Sequence, residues 1–419
     1  MKETIIAGLD IGSTSIRLVV GQQVKDDNQL QIIGAVSVKA KGIIKGAVKS
    51  IEDVTSSISE CLEKGERLVG IPMESVWISI NSPYIKCEKS RGVVAVGKSD
   101  GEISQDDVER ALEAARALSV PPNYEILHVI PIKFTVDSQD DIKDPIGMTG
   151  VRLEVETLII QGLSSQIKNL TKAVFRTGLD IEDLVLSPLA AAEAVMDSEQ
   201  KELGSALVNI GLSTTSLAVF EEGELLHTAV IPIGSSHITS DIAIGLRCPI
   251  NLAEKIKIKY GSASSENFNK KDEIDTSELF EDGEQEEEIG MVSKKYLAEI
   301  IEARVEEIFE KIDEEFKKID RSGMLPGGVF LIGGGTRLHD LVNAAKKKLR
   351  LPVCLGANKK ISTIIDKVNE TEFLNALGLV VWGSQVMKDN TKDGFKIFGK
   401  DTVGKMTQKA KDWFSSLIP

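Results

Sequence analysis

The sequence has no Cys-x-x-Cys pair. Its four cysteines, Cys61, Cys87, Cys248 and Cys354, stand singly, and none has a histidine at metal-ligand spacing. That pattern excludes a structural zinc site and reads as reduced thiols rather than a disulfide framework. Aromatic residues are scarce, at 5%. Positive charge is in the minority: 50 Lys and Arg stand against 64 Asp and Glu, a net charge of −14. Such a surface argues against nucleic acid as a partner, since nucleic-acid binding needs a basic face. No apolar run approaches the ~18–20 residues that span a bilayer, so any membrane contact is expected to be peripheral. The chain enters a strand pattern at once, Thr4 to Leu9, and no signal peptide is expected.

What is present is a 419-residue chain with 42% hydrophobic residues, enough for more than one core. Strand-like runs alternate with helical periods, the pattern of an α/β protein. Residues 264–290 are strongly acidic and read as a solvated loop. Residues 387–400 are polar and contain glycine, as a linker does, and a separate helical segment follows at 401–418. Residues 4–21 and 205–220 resemble each other, each a strand, a small-residue turn and a second strand. This weak internal repeat suggests two related halves.

The first of these runs is Ile5-Ile6-Ala7-Gly8-Leu9-Asp10-Ile11-Gly12-Ser13-Thr14-Ser15-Ile16-Arg17-Leu18. A hairpin turn free of bulky side chains lets successive backbone N–H groups close on a phosphate. Asp10 at the strand end suits Mg²⁺ held through water, because Mg²⁺ keeps most of its hydration shell. Arg17, on the next strand, suits terminal phosphate oxygens. No Gly-Lys-Ser/Thr follows, so this is not a Walker loop. The second run, Val208-Asn209-Ile210-Gly211-Leu212-Ser213-Thr214-Thr215-Ser216, repeats the logic. Later, Phe330-Leu331-Ile332-Gly333-Gly334-Gly335-Thr336-Arg337 takes a buried strand into three glycines, with a helix to follow. That turn allows flat, close approach of a base or sugar.

Two hairpins and a strand–triple-glycine–helix, in this order, resemble the actin-like ATPase superfamily. More narrowly the chain is similar to the bacterial cell-division FtsA family. The narrower likeness rests on Ile231-Pro232-Ile233-Gly234-Ser235-Ser236-His237 running on to Ala253-Glu254-Lys255-Ile256-Lys257, and on Ile126-Leu127-His128-Val129-Ile130-Pro131 with Lys143-Asp144-Pro145-Ile146-Gly147. The end of the chain is its third element.

This resemblance implies a two-lobed, actin-like (ribonuclease H-like) α/β fold with ATP and Mg²⁺ in the cleft between the lobes. Asp10, Gly12, Ser13, Thr14 and Arg17 match the first phosphate motif, with Asp10 as the Mg²⁺ position. Asn209, Gly211, Ser213, Thr214 and Thr215 match the second. Gly333, Gly334 and Gly335 match the adenosine motif. Gly234, Glu254 and Lys257 complete the set, and the last two, three apart on a helix, should share a face. Many relatives carry Asp where this chain has Asn209, and a further Asp where it has Ser216. Asn can bind a water but cannot act as an ionised base. Slow or undetectable ATP turnover is therefore expected.

The implied division is residues 1–84, 164–204 and 362–386 for the first lobe, 85–163 for an inserted subdomain, 205–231 and 310–361 for the second lobe, and 232–309 for its smaller subdomain. The insertion should read strand, helix, two strands. Its helix, Asp106 to Leu118, is stopped by Pro121-Pro122. In the family this subdomain contacts neighbouring subunits and later division proteins. His128, among apolar residues, reads as a core histidine. The tubulin-like division protein FtsZ is expected to dock its C-terminal peptide on 232–309, where the helix Ser293–Ile319 offers Lys294 and Arg304 as cations.

At ~100° per residue, Val403, Met406, Ala410, Trp413, Phe414, Leu417 and Ile418 fall within an arc of roughly 140°. Lys409 and Lys411 flank it, so segment 401–419 reads as an amphipathic helix for an anionic membrane surface. Each large apolar side chain contributes at most ~1.5–3 kcal/mol, and ordering the helix opposes that by ~1–2 kcal/mol per residue. A single tail should bind weakly, and a filament presenting many tails gains avidity. The expected role is a self-assembling anchor for FtsZ on the cytoplasmic face of the membrane at the septum. A small-molecule kinase and a pilus-assembly scaffold on the same fold are the alternatives.

Overall fold

Apolar residues run almost without a break along β1 (Thr4–Ile11) and through the middle of β2 (Ser15–Gln23), and the two strands pair antiparallel across the first small-residue turn. The computed structural model describes residues 4–23, 29–117, 120–279 and 290–389. After β3 (Leu30–Lys39) come a short ribbon, β4 (Ile43–Ile44) and β5 (Ala47–Val48), then α1 (Ile51–Val69) and β6 (Ser75–Ile80). Helix α1 starts where the Ser50 side chain accepts from Asp53 N–H, and it stops at Gly70 in the left-handed conformation.

An insertion follows: β7 (Lys86–Ala95), α2 (Gln105–Arg116), β8 (Tyr124–Val136), β9 (Gln139–Ile142) and β10 (Arg152–Leu163). Its strands form a separate antiparallel sheet, order β7-β10-β8-β9, with its own small core around Val108, Ala111, Phe134 and Leu153. The short β9 was not foreseen in the sequence. The chain returns through α3 (Ser164–Phe175), β11 (Asp180–Leu186), α4 (Ser187–Val195) and α5 (Ser198–Leu203).

The second lobe begins with β12 (Ser205–Ile210), β13 (Thr215–Glu221) and β14 (Glu224–Ile231). Helices α6 (Ser235–Leu246) and α7 (Ile250–Tyr260), the ribbon β15 (Glu273–Asp275) and β16 (Met291–Ser293), and α8 (Lys294–Lys318) come next. It closes with β17 (Gly328–Ile332), α9 (Leu341–Leu349) and β18 (Val353–Leu355), and the helix α10 (Leu374–Asp389) packs back on β1, β2 and β6 of the first lobe. Helix α8 occupies the span expected for it, capped by Ser293.

The two main sheets share one topology. The orders are β3-β2-β1-β6-β11 and β14-β13-β12-β17-β18. In each, three strands pair antiparallel and two more add in parallel. The faint repeat in the sequence is thus a repeated lobe, with α1 answering to α8, α3 to α9 and α4 to α10. Strand β12 is buried on both faces, as a central strand should be. Ala206 and Val208 face the second lobe's own core, while Leu207 on the other face joins the first core.

That sharing arises because α4 and α10 cross between the lobes. Their backbones approach so closely that a Cβ on Gly378 would lie 2.1 Å from the Ala190 carbonyl oxygen. His128 is a core histidine, as expected: buried, its Nε2 accepts from Leu186 N–H at 3.3 Å. Burial pushes its pKa down to about 4.

Candidate functional site

The two equivalent hairpin turns close in the same way. Gly12 N–H donates to the Ser15 carbonyl at 3.1 Å, and Gly211 N–H donates to the Thr214 carbonyl at 2.9 Å. Both turns line a single cleft of about 450 Å³ between the lobes, which the glycines at 333–335 and residues of α6 and α7 complete. Of the residues expected to meet a ligand, Asp10, Gly12, Ser13, Thr14, Arg17, Asn209, Gly211, Ser213, Thr214, Glu254, Lys257, Gly333, Gly334 and Gly335 all line it.

Thr215 and Gly234 require correction. Thr215 is fully buried and its hydroxyl donates to the Ile233 carbonyl at 2.8 Å, so it braces the turn from behind. Gly234 is packed against the same turn, where a Cβ would lie 2.7 Å from the carbonyl oxygens of Gly211 and Leu212. Its contribution is to leave room.

On the first lobe Asp10 and Arg17 face each other across β1 and β2. Ser79 Oγ donates to Asp10 Oδ1 at 2.6 Å. Burial raises the Asp10 pKa, offset in part by Arg17 and by hydrogen bonds from Ser79 and Asn375. Arg17 donates through Nη2 to Glu372 Oε2 at 3.1 Å and stacks over Phe373, 5.6 Å from the ring centre. Among the described residues its Nε is buried without a partner, as is Asn81 Oδ1 in the same cleft wall.

On the second lobe Asn209 takes the place of Asp10 and Ser216 that of Arg17. Asn209 Nδ2 donates to Asn375 Oδ1 at 3.4 Å. Gly333 follows β17 at φ 93°, and a Cβ there would lie 2.3 Å from Asn209 Oδ1. Only glycine fits that position. A 3₁₀ turn, Gly334–Arg337, then leads into α9, the helix expected after the glycines. Glu254 and Lys257 do share one face of α7. Lys257 Nζ donates to Glu254 Oε2 at 2.7 Å and to Thr239 Oγ1 at 2.8 Å.

Asn81, Ser235, Arg337, His339, Glu372 and Asn375 also line the cleft and were not foreseen as site residues. Arg337 stood inside a recognised motif; Glu372 and Asn375 carry no local signal, being far in sequence from the turns they face. Among the described residues no group of three or more His, Cys, Asp or Glu could hold a metal directly. The cleft carboxylates Asp10, Glu254 and Glu372 are each engaged by a neighbouring donor. Backbone donors at two turns, an arginine with an unused Nε and a flat glycine floor together suit a ligand with an anionic end and a planar end.

Away from the cleft, Arg304 makes a bidentate pair with Asp241, 2.5 and 2.9 Å. Its charge is already matched, which corrects the expectation of a cation free for an acidic peptide. Lys294 begins α8 and is part-buried. The linker from 390 onward and the tail residues Val403, Met406, Lys409, Lys411, Trp413, Phe414, Leu417 and Ile418 lie outside the described residues. Among the described residues no helix is long and apolar enough to cross a membrane.

Solved structures share this architecture. The type IV pilus biogenesis complex PilM-PilN matches with a TM-score of 0.65 at 16% identity, covering 90% of this chain and 98% of that one. MreB5 of Spiroplasma citri, bound to ADP, matches with a TM-score of 0.52 at 11% identity, covering 93% and 99%. These likenesses show the fold: mixed α/β, actin-like, with two mixed sheets and an inserted subdomain. The family model for the SHS2 domain inserted in FtsA matches residues 83–161, and that for cell division protein FtsA matches residues 206–378. Cell division protein FtsA of Bacillus subtilis is 36% identical over 397 residues, 94% of this chain and 87% of that protein. The Pseudomonas aeruginosa protein of the same name is 33% identical over 385 residues, 92% of this chain and 90% of its own length. A matching insertion, a matching second-lobe segment and identity above 30% along nearly the whole chain place this protein in the FtsA family of bacterial cell-division proteins.

Proposed function

We propose that the chain binds ATP with Mg²⁺ in the interlobe cleft, assembles on the cytoplasmic face of the membrane at the septum and anchors FtsZ filaments there. The observation that carries the nucleotide reading is the convergence of three glycine turns on one cleft whose wall holds an orphaned Arg17 Nε. ATP would supply the anionic phosphates and planar base for which that donor set is suited. The turns Gly12–Thr14 and Gly211–Thr214 hold the phosphates by backbone N–H groups. Asp10 orients water around Mg²⁺, an indirect role that a single carboxylate can fill. Gly333–Gly335, Glu254 and Lys257 bound the adenosine end.

Turnover is slow in this reading. Asn209 cannot accept a proton, and the carboxylates lining the cleft are held by Ser79, Lys257 and Arg17 rather than free to activate water. MreB5 of Spiroplasma citri, which shares the fold, has been solved with ADP and with AMPPNP, and this supports the nucleotide reading by analogy.

Family membership supports the remaining assignments. The insertion, 85–163, meets neighbouring subunits and later division proteins; subdomain 232–309 receives the FtsZ peptide; the segment 401–419 lies on anionic lipid. Weak tails on an assembled filament link polymerisation to membrane residence. Co-sedimentation with anionic liposomes tests this directly. Intact protein with ATP should pellet and bring FtsZ with it, whereas a version ending at Asn390 should stay in the supernatant. Equal pelleting of the two would remove the tail from the mechanism.

A further inference from the structure

Glu372 stands between the lobes with both carboxylate oxygens committed. Its Oε2 accepts from Arg17 Nη2 of β2, in the first lobe, at 3.1 Å. Its Oε1 accepts from Arg337 Nη2, in the turn after β17 of the second lobe, at 2.7 Å. Its side chain is 19% exposed, and all three residues line the cleft. The backbone around it is firmly placed: Gly333 N–H donates to the Thr371 carbonyl at 3.0 Å, and Thr336 Oγ1 meets Thr371 Oγ1 at 3.0 Å.

A carboxylate shared by two guanidinium groups offers them the same kind of acceptor pair that phosphate oxygens would. Among the described residues Arg17 is the only arginine or lysine on the β1–β2 side of the cleft lining, so an incoming anion and Glu372 draw on the same cation. Glu372 also places a negative charge beside the region a phosphate would enter, where repulsion is only partly screened.

We propose that Glu372 is a built-in competitor for the anionic end of the cleft's ligand, and that a nucleotide's terminal phosphate takes Arg17 from it, untying the Arg17–Glu372–Arg337 bridge between the lobes. The idea rests on the nucleotide reading above and adds to it a residue that sets affinity by phosphate number. Neutralising Glu372 should tighten binding of a triphosphate, less so a diphosphate, and leave adenosine unchanged. Removing Arg337 should do the reverse, because Glu372 then leans on Arg17 alone and Glu370, which Arg337 also holds at 2.8 Å, is released.

Calorimetry of the full-length, nucleotide-stripped protein with ATP, ADP and adenosine in Mg²⁺ tests it. Glu372→Gln should bind ATP roughly tenfold tighter than the parent, the effect of one modest charge interaction, and the gain should shrink with added salt. Arg337→Gln should bind ATP more weakly. A merely structural role would move both variants the same way and shift adenosine along with ATP, and either result overturns the proposal. So does unchanged ATP affinity in Glu372→Gln. Should that variant not fold, Glu372→Ala takes its place: tighter ATP binding with adenosine unchanged supports the competition, and unchanged or weaker ATP binding ends it. If the folded parent binds none of the three ligands, the nucleotide reading itself fails and this proposal with it.

Discussion

The two hairpin turns share geometry but differ in charge. In the first lobe Asp10 has Arg17 across the strand pair and a hydroxyl from Ser79. The parallel register places Ile332 beside Asn209, whereas in the first lobe Ser79 of the neighbouring strand donates to Asp10. Ser216 stands where Arg17 does, its hydroxyl buried without a partner among the described residues. The second turn therefore lacks both groups that make a buried carboxylate tolerable. The lesson is that Asn209 is not an isolated departure from the family pattern. Its surroundings are neutral as well, and the pair of lobes has one charged turn and one uncharged.

Restoring the acid is the hardest test of that contrast. Asn209→Asp should lose about 4 kcal/mol of stability, the cost of a buried carboxylate without a partner. Urea unfolding at pH 8 measures it, and the loss should shrink at pH 5, where the new carboxyl can protonate. An unchanged midpoint would show that the second turn can hold a charge after all.

The insertion gives the first lobe a further asymmetry, a titratable core. His128 has a native pKa of about 4 against an ordinary value near 6.5. Between those values the unfolded chain binds more protons than the folded one, so stability falls as pH drops from about 6.5 to about 4. The loss amounts to about 3 kcal/mol at the acid end. His128→Gln keeps an acceptor for Leu186 N–H, and pH-dependent urea unfolding should show a flatter curve in that window. The same slope in both proteins would place the acid sensitivity elsewhere.

The mildest test concerns the shared geometry. A Cβ on Gly12 would lie 3.0 Å from the Ser15 carbonyl oxygen, and one on Gly211 3.0 Å from that of Thr214. Gly12→Ala and Gly211→Ala should each cost below about 1 kcal/mol and match within about 0.5 kcal/mol in thermal unfolding. A large difference would mean that the two turns are not mechanical equivalents.

Much of this was legible along the chain because its signals are local. The strand–glycine–strand runs at 4–21 and 205–220 form hairpins wherever they sit, since alternation and small turn residues act over a few positions. The helix span Ser293–Ile319 and the spacing of Glu254 and Lys257 belong to the same class. Thr215 and Arg304 show where such reading stops. Motif position put Thr215 with the ligand contacts, yet the face its hydroxyl takes is decided by Ile233, on a different segment. The family resemblance offered Arg304 as a cation for a docking peptide, yet Asp241 of α6 already pairs with it.

The sequence by itself determined the fold class, the repeat of the lobes, the glycine turns and the absence of an acid at position 209, because each is a property of short windows. Only the tertiary structure decided that Glu372 and Asn375, more than 150 residues from Asn209 and farther still from Asp10, complete the cleft. It alone also set the bridge from Arg17 through Glu372 to Arg337. Those contacts exist because α10 crosses back onto the first lobe, a packing that depends on the fit of Gly378 against Ala190 and that no local pattern encodes.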